Sequence, residues 1–294
     1  GPWVAKFIGE ELNLASPYGI RLIQGSHIIV PKIYEGDKAF IMQNDDQRIV
    51  FAIPYLDKYT MIGTTDREYT GDPAQVKISQ EEMDYLLAVS NAHFKTQIAQ
   101  CDVISTFAGV RPLCDDESDN PAAVTRDYTL ALSQQDASQA PLLSVFGGKL
   151  TTYRKLAEAA MKQLQPFFSN LSPSWTAKEV LPGAENLTTV AALVAEIQDK
   201  ILDVPVSLAQ RWAHAYGTRV WEMLGEATML QQLGQDFGCG LYAREVDYLF
   251  DHEWAQYAED VLWRRSKLAL EFGSQQSERL EAYLALRREM KEAA

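Results

Sequence analysis

Leu142-Leu143-Ser144-Val145-Phe146-Gly147-Gly148-Lys149-Leu150-Thr151-Thr152-Tyr153 is the stretch that decides the fold. A run of strand-forming residues meets two glycines, and a helical pattern starts directly behind them. Leu150, Tyr153, Leu156, Ala157, Ala160, Met161 and Leu164 recur at three- and four-residue spacing until Pro166 stops the pattern. A strand, a glycine turn and a helix start bring backbone N–H groups and a positive dipole end to one place. The glycines let a ligand come close to the backbone, and Lys149 adds a charge. The P-loop pattern fails, because Leu150 follows Lys149 and Leu143 stands where the first glycine is required. The turn reads either as a ligand cradle or as a glycine-rich connection with a solvated lysine.

Upstream of this turn the chain is rich in short strands. Ser26–Val30, Ala39–Met42, Arg48–Ile53 and Tyr59–Gly63 are separated by turn residues, and strands resume at Val103–Val110, Tyr128–Leu132 and Leu142–Phe146. Such close spacing favours antiparallel meanders, since parallel crossovers need a dozen or more residues. One helix interrupts them: Ser79 and Glu82 form a capping box, and Met83, Leu86, Leu87 and Ser90 follow at helical spacing. Downstream, residues 166–187 read as a linker containing Pro166, Pro173, Pro182 and Gly183. No proline follows Pro205, so the end of the chain is expected to be helical. Helices are predicted from Leu208 to near Gly217 behind Ser207 as cap, and over Glu245–Trp254, Glu259–Leu270 and Ser277–Met290.

The 294 residues suggest two domains at about 150 residues each. The spacing places them at 1–170 and 171–294. Hydrophobic residues at 47% and charged residues at 23% exclude disordered and fibrous classes. A net charge of −13 argues against a nucleic-acid partner, which needs a basic face. Cys101, Cys114 and Cys239 are too few and too scattered for a disulfide framework or a metal site, and suit a reducing compartment. No metal-ligand spacing, signal peptide or membrane-spanning run is found in the sequence.

Several side chains have two readings each. Arg111, in Gly109-Val110-Arg111-Pro112-Leu113-Cys114-Asp115-Asp116, either clamps an anionic substrate or pairs with Asp115 or Asp116. Arg126 shares that ambiguity. His27 in Gln24-Gly25-Ser26-His27 is either a general base or a structural histidine. Ile62-Gly63-Thr64-Thr65-Asp66 ends a strand with hydroxyls and a carboxylate, which suits a polar site or an Asx-type turn. His93, His214 and His252 have no ligand spacing, and the acidic neighbours of Cys114 disfavour a reactive thiolate.

Taken in order, Gly1-Pro2-Trp3-Val4, Ser16 through Leu22, Gly25-Ser26-His27-Ile28, Ile62 through Asp66, Gly109 through Leu113, Thr125-Arg126-Asp127-Tyr128 and Leu142 through Tyr153 resemble the FAD-dependent, quinone-reducing glycerol-3-phosphate dehydrogenases. Asp251-His252-Glu253-Trp254 and Asp260 through Arg265 resemble that family's helical domain. The resemblance implies an α+β fold. An antiparallel β-rich substrate domain would carry the returning strands and helix of a flavin-binding domain, followed by an all-helical C-terminal domain. It also implies that the chain is a C-terminal portion of a longer flavoprotein. The family's N-terminal βαβ unit with GxGxxG has no counterpart here, so FAD is expected in the full-length enzyme and not in this portion alone.

The implied reaction oxidises sn-glycerol 3-phosphate to dihydroxyacetone phosphate, with hydride going to FAD and electrons to a membrane quinone. By resemblance His27 is the proton acceptor, with Arg111 as the alternative. Arg111, Arg126 and Lys149 meet phosphate or developing negative charge, and Thr64, Thr65 and Asp66 line the pocket. Gly147, Gly148, Lys149, Leu150, Thr151 and Thr152 face the flavin. The family further suggests a cytoplasmic homodimer attached peripherally to the inner face of the cytoplasmic membrane. The alternatives are a glycerol-3-phosphate oxidase using oxygen, and a non-catalytic assembly or membrane-docking module of the same enzyme.

Overall fold

The computed structural model describes residues 1–115, 127–134 and 139–292, and the chain divides into two units, Gly1–Ala177 and Lys178–Ala294. In the first unit the apolar stretch at Ser26–Val30 is the middle of a longer strand, β1 (Ile20–Pro31). Three strands follow it as a meander: β2 (Phe40–Gln43), β3 (Ile49–Tyr55) and β4 (Tyr59–Gly63). The short β5 (Arg67–Glu68) and the long β6 (Ser105–Cys114) complete six strands among the described residues. The order is β2-β3-β4-β1-β5, and every pairing is antiparallel. β4 and β5 share one edge of β1, while β6 runs along the other from Ile20↔Cys114 to Ile29↔Ser105.

Strand alternation gives this sheet two distinct faces. Ile28, Val30, Ile62, Val50 and Ala52 are fully buried and pack with Leu86, Leu87 and Val89 of helix α1 (Gln80–His93). Each buried isoleucine, valine and leucine side chain contributes roughly 1.5–3 kcal/mol. Gln24 and Ser26 lie on the same face as Ile28, whereas Gly25 and His27 lie on the opposite one. The predicted capping box is present at the start of α1. Ser79 Oγ accepts from Glu82 N at 3.2 Å, and Glu82 Oε2 accepts from Ser79 N at 2.9 Å.

β7 (Tyr128–Ser133) and β8 (Leu142–Gly147) form a separate antiparallel pair. Phe146 of β8 is buried with Ile8 and Cys114. A single 3-10 turn, Leu150–Thr152, leads into α2 (Tyr153–Leu164). Pro166 lies in the 3-10 turn Gln165–Phe167 that follows, so the predicted stop falls where proline cannot continue the helix. The apolar face of α2 is left largely open, with Tyr153 and Met161 about half exposed.

The second unit is built from α3 (Val190–Lys200), α4 (Val206–Tyr216), α5 (Val220–Leu224), α6 (Ala243–His252) and α7 (Ser274–Glu292) around Trp212, Phe237 and Phe250. One short ladder sits among these helices, β9 (Asp236–Gly238) with β10 (Leu241–Tyr242). Its turn needs positive φ at Gly238, Cys239 and Gly240, which two of the three residues supply as glycines.

Two helices differ from expectation. α4 starts ahead of Ser207, because the Pro205 carbonyl accepts from both Leu208 N and Ala209 N at 3.0 Å. The stretch read as one helix over 259–270 is a π-helical turn at Asp260–Arg265 and a 3-10 turn at Leu268–Leu270. Ser266 N bonds five residues back to Val261 O, and Lys267 adopts the left-handed conformation that separates the two turns.

Candidate active site

The face of the sheet opposite α1 carries His27, Thr64, Asp66 and Arg111 of the predicted site residues. Antiparallel partners point their side chains to the same side, so the register sets Arg111 beside Ile23, Gly109 beside Gly25, and Phe107 beside His27. Arg111 and His27 thus flank a patch of bare backbone. A Cβ at Gly109 would meet nothing within 4 Å, so space is open above it. A Cβ at Gly25 would fall 2.6 Å from Thr64 Oγ1 and 3.0 Å from Arg111 Nη2, so glycine is required there for those two groups to meet. Glycine inside a strand marks this kind of close approach.

His27 is held by shape. Its ring stacks on Phe107 with centroids 4.5 Å apart and planes 3° from parallel. It also lies over Gly63, its partner across β4, where a Cβ would be 2.3 Å from His27 Cδ2. Nδ1 is buried without a hydrogen-bond partner, which leaves Nε2 as the nitrogen open to a ligand. Burial and, secondly, the Arg111 charge lower the imidazole pKa to about 4. The ring is therefore neutral near pH 7, with one lone pair able to accept a proton.

Arg111 donates to Asp66 Oδ1 through Nη1 and to Thr64 Oγ1 through Nη2 at 3.2 Å. Its carboxylate partner is Asp66, in place of the neighbouring Asp115 weighed from sequence. Asp116 and Arg126 lie outside the described residues. Guanidinium has five N–H donors, so two fixed bonds aim the fork and leave donors for an anion. Thr64 Oγ1 donates in turn to Thr65 O at 2.9 Å. Thr65 itself is buried and turned to the α1 face, where its hydroxyl accepts from Ser26 N at 2.9 Å and donates to Glu82 Oε1 at 2.6 Å. It backs the site and does not line it.

The glycine turn forms a second cluster. Gly147 and Gly148 have φ of +69° and +105°, and a Cβ at Gly147 would press on Asp127 O at 3.1 Å and Cys114 N at 3.3 Å. Only glycine fits both demands. Lys149 and Leu150 are exposed, and the turn closes on itself, with Thr152 N donating to Lys149 O at 3.0 Å and Tyr153 N to Leu150 O. This combination of bare peptide, helix start and lysine fits the edge of a flavin ring. Among the described residues no hydrogen bond or ion pair joins Lys149 to His27 or Arg111, so the structure brings the predicted residues together as two groups.

Sequence reading passed over Gly25, Gly63 and Gly109 as site formers, along with Phe107 and Glu82. The available signal was glycine recurring inside β-forming runs.

Comparison with known proteins adds to this geometry. A family model described as FAD dependent oxidoreductase matches residues 1–154, and one described as the C-terminal domain of alpha-glycerophosphate oxidase matches residues 174–291. A glycerol-3-phosphate dehydrogenase of Pseudomonas aeruginosa is 64% identical over 97% of this chain and 55% of its own length. The aerobic glycerol-3-phosphate dehydrogenase of Escherichia coli is 49% identical over 97% of this chain and 56% of its own. A D-erythritol 1-phosphate dehydrogenase of Brucella abortus is 41% identical over 91% and 53%. The chain spans about half the length of these relatives. The solved structure of a glycerol-3-phosphate dehydrogenase from Bacillus halodurans complexed with FAD superposes with a TM-score of 0.72 at 24% identity, covering 97% of this chain and 60% of that one. That likeness is one of fold.

Proposed function

The chain belongs to the FAD-dependent oxidoreductase family, and on that premise we propose that it is the substrate-binding and C-terminal portion of a flavoprotein oxidising sn-glycerol 3-phosphate to dihydroxyacetone phosphate. The observation that carries this reading is a neutral histidine and a fixed guanidinium facing one bare patch of sheet. Such a pair is what a phosphorylated secondary alcohol requires. The guanidinium forks onto the phosphate, and the imidazole takes the hydroxyl proton. Glycerol-3-phosphate dehydrogenases among the relatives support the same substrate.

Each residue has a physical part in the reaction. Arg111 is aimed by Asp66 and Thr64 and binds the phosphate. His27 Nε2 accepts the hydroxyl proton as the carbon–oxygen double bond forms. Burial lowers the imidazole pKa most and the Arg111 charge second; the dianionic phosphate offsets that second cause, which moves His27 toward the pH where a base is effective. Phe107 keeps the ring from rotating away. Gly147, Gly148 and Lys149 would hold the cofactor's edge, with backbone N–H groups placed to stabilise negative charge there. Bound FAD supplies the acceptor for the substrate's hydride. In this proposal the positive charges of Arg126 and Lys149 also favour an anionic substrate.

The test is His27→Asn in the full-length enzyme. We expect kcat to fall by about 10²- to 10⁴-fold, the usual range for a general base. Affinity for dihydroxyacetone phosphate, measured by calorimetry, should change little. Wild-type turnover would remove His27 from proton transfer.

Quinone as electron acceptor, peripheral attachment to the inner membrane face and a homodimer belong to the same proposal. They rest on the family resemblance of the sequence; among the described residues no helix is long and apolar enough to cross a membrane. Steady-state rates with a soluble quinone against oxygen decide the acceptor.

A further inference from the structure

Glu82 has no role in the chemistry above, yet among the described residues it is the one buried carboxylate of the first unit. It is 6% exposed and accepts four hydrogen bonds, two on each oxygen. Oε1 takes Ser26 Oγ at 2.9 Å and Thr65 Oγ1 at 2.6 Å. Oε2 takes Gln24 Nε2 at 2.8 Å and Ser79 N at 2.9 Å. No lysine, arginine or histidine among the described residues pairs with it. Burial raises its pKa, but hydrogen bonds from Thr65, Ser79 and Ser26 outweigh that and hold it below the usual range, so it is ionised.

A helix cap explains only the Ser79 bonds. The other three donors lie on β1 and on the turn after β4, and they are sequence neighbours of the site residues. Ser26 precedes His27, and Thr65 stands between Thr64 and Asp66. Because strands alternate, the residues that Glu82 grips point to the α1 face while their neighbours point to the site. The Thr65 hydroxyl accepts from Ser26 N and donates to Glu82, so the carboxylate fixes which way that hydroxyl points. The same Thr65 offers its carbonyl to Thr64 Oγ1, which in turn receives Arg111 Nη2. The chain Glu82–Thr65–Thr64–Arg111 therefore crosses the sheet from back to front.

We propose that Glu82 is a positioning residue for the substrate-binding face, fixing Thr65 and Ser26 from behind so that Thr64, Asp66 and Arg111 are held in register with His27. This rests on the site reading given under Proposed function. Positioning of this kind has large leverage, because displacements of about 1 Å cost on the order of 10²-fold in rate.

The test uses the full-length, FAD-loaded enzyme. Glu82→Gln keeps the shape but puts an amide NH₂ against groups that donate. The two hydroxyls can turn to accept, so the fold is retained while Thr65 loses its orientation. We expect kcat/KM for glycerol 3-phosphate to fall about ten-fold, chiefly in KM, with flavin content unchanged. Calorimetric affinity for dihydroxyacetone phosphate should weaken in parallel. Thr65→Val should lose about as much, and Thr65→Ser clearly less. In an Arg111→Ala background the Glu82→Gln loss should shrink to within about three-fold, since residues acting through one another are not additive. A lowered melting temperature with wild-type kinetics and product affinity would reduce Glu82 to a cap and overturn the proposal. If Glu82→Gln fails to fold, equal losses in Thr65→Val and Thr65→Ser overturn it instead. Wild-type kinetics in Arg111→Ala alone would mean that the site reading has failed; a deficient Arg111→Ala beside an unimpaired, folded Glu82→Gln would mean that only the positioning role has.

Discussion

Two glutamates lie buried among the described residues, one in each unit, and they are satisfied in opposite ways. Glu245 is 1% exposed and meets Arg211 Nη1 and Nη2 at 2.5 and 2.8 Å, Trp212 Nε1 at 3.0 Å and Tyr216 Oη at 2.6 Å. Its charge is neutralised by a guanidinium that is itself mostly buried. Glu82 meets only neutral donors: an amide, two hydroxyls and a backbone N–H. The first arrangement ties α4 to α6 inside an apolar core, where a carboxylate without a counter-charge would be very costly. The second leaves the charge uncompensated and uses it to orient dipoles, three of them on β1 or the turn after β4, whose neighbours carry the site on the other face. A buried charge can thus serve as a clamp or as an orienting post, and the identity of its donors tells which.

Breaking the clamp should give the largest stability effect. Glu245→Ala strands Arg211 without its partner and is expected to destabilise the second unit by about 3–5 kcal/mol. Urea unfolding followed by circular dichroism measures this, and a loss under about 1 kcal/mol would mean that the ion pair does little. On the catalytic side, Arg111→Ala should lower kcat/KM of the full-length enzyme by about 10²-fold or more, with Arg111→Lys recovering only part, because an ammonium cannot hold Asp66, Thr64 and a phosphate through one planar fork. Steady-state kinetics of the two variants side by side settle that order.

Gly63→Ala addresses the packing of the site itself. The new methyl would fall 2.3 Å from His27 Cδ2, so the ring must move off Phe107. A drop in kcat of about ten-fold is expected, and unchanged kcat would show that the ring position is not critical.

The pH dependence follows from the lowered His27 pKa of about 4. With the folded value below the ordinary imidazole value of 6.5, an unfolded chain takes up its proton first as pH falls. The stability this group contributes is present above pH 6.5, is lost between 6.5 and about 4, and is constant below. kcat/KM should remain on its upper plateau at neutral pH and fall on the acid side near pH 4. A free-enzyme limb close to 6.5 would mean that His27 is not desolvated. The smallest effect is expected for Ser79→Ala, which removes the helix cap and leaves the carboxylate's donors Gln24, Ser26 and Thr65, at about 1 kcal/mol of stability with little change in rate. Equal kinetic damage in Ser79→Ala and Glu82→Gln would erase the distinction between cap and orienting post.

Much of the fold was legible because local rules govern it. The meander from Phe40 to Gly63 follows from strand-forming runs broken by turn residues, and the Ser79–Glu82 box marked the start of α1 to the residue. The glycine turn at 147–148 was legible for the same reason, since positive φ selects glycine. The break at Lys267 was not, because a π-turn depends on packing around Val261 and Ser266 and leaves no period in the sequence. At the site, His27 and Arg111 were visible as polar residues in apolar strands, but their relation was not. Arg111 has acidic neighbours in sequence, and its partner Asp66 lies 45 residues away.

By itself the sequence determined most element types, the capping of α1, the bare backbone at Gly147-Gly148 and the net charge of −13. These depend on backbone conformation and on composition, which act locally or in sum. Only the tertiary structure decided that Thr65 turns away from the site while Thr64 and Asp66 turn toward it, and that one buried glutamate is a cap and a post together. Those outcomes depend on which strands pair and in which register, and a shift of one residue in β1 against β4 would reverse every side chain involved.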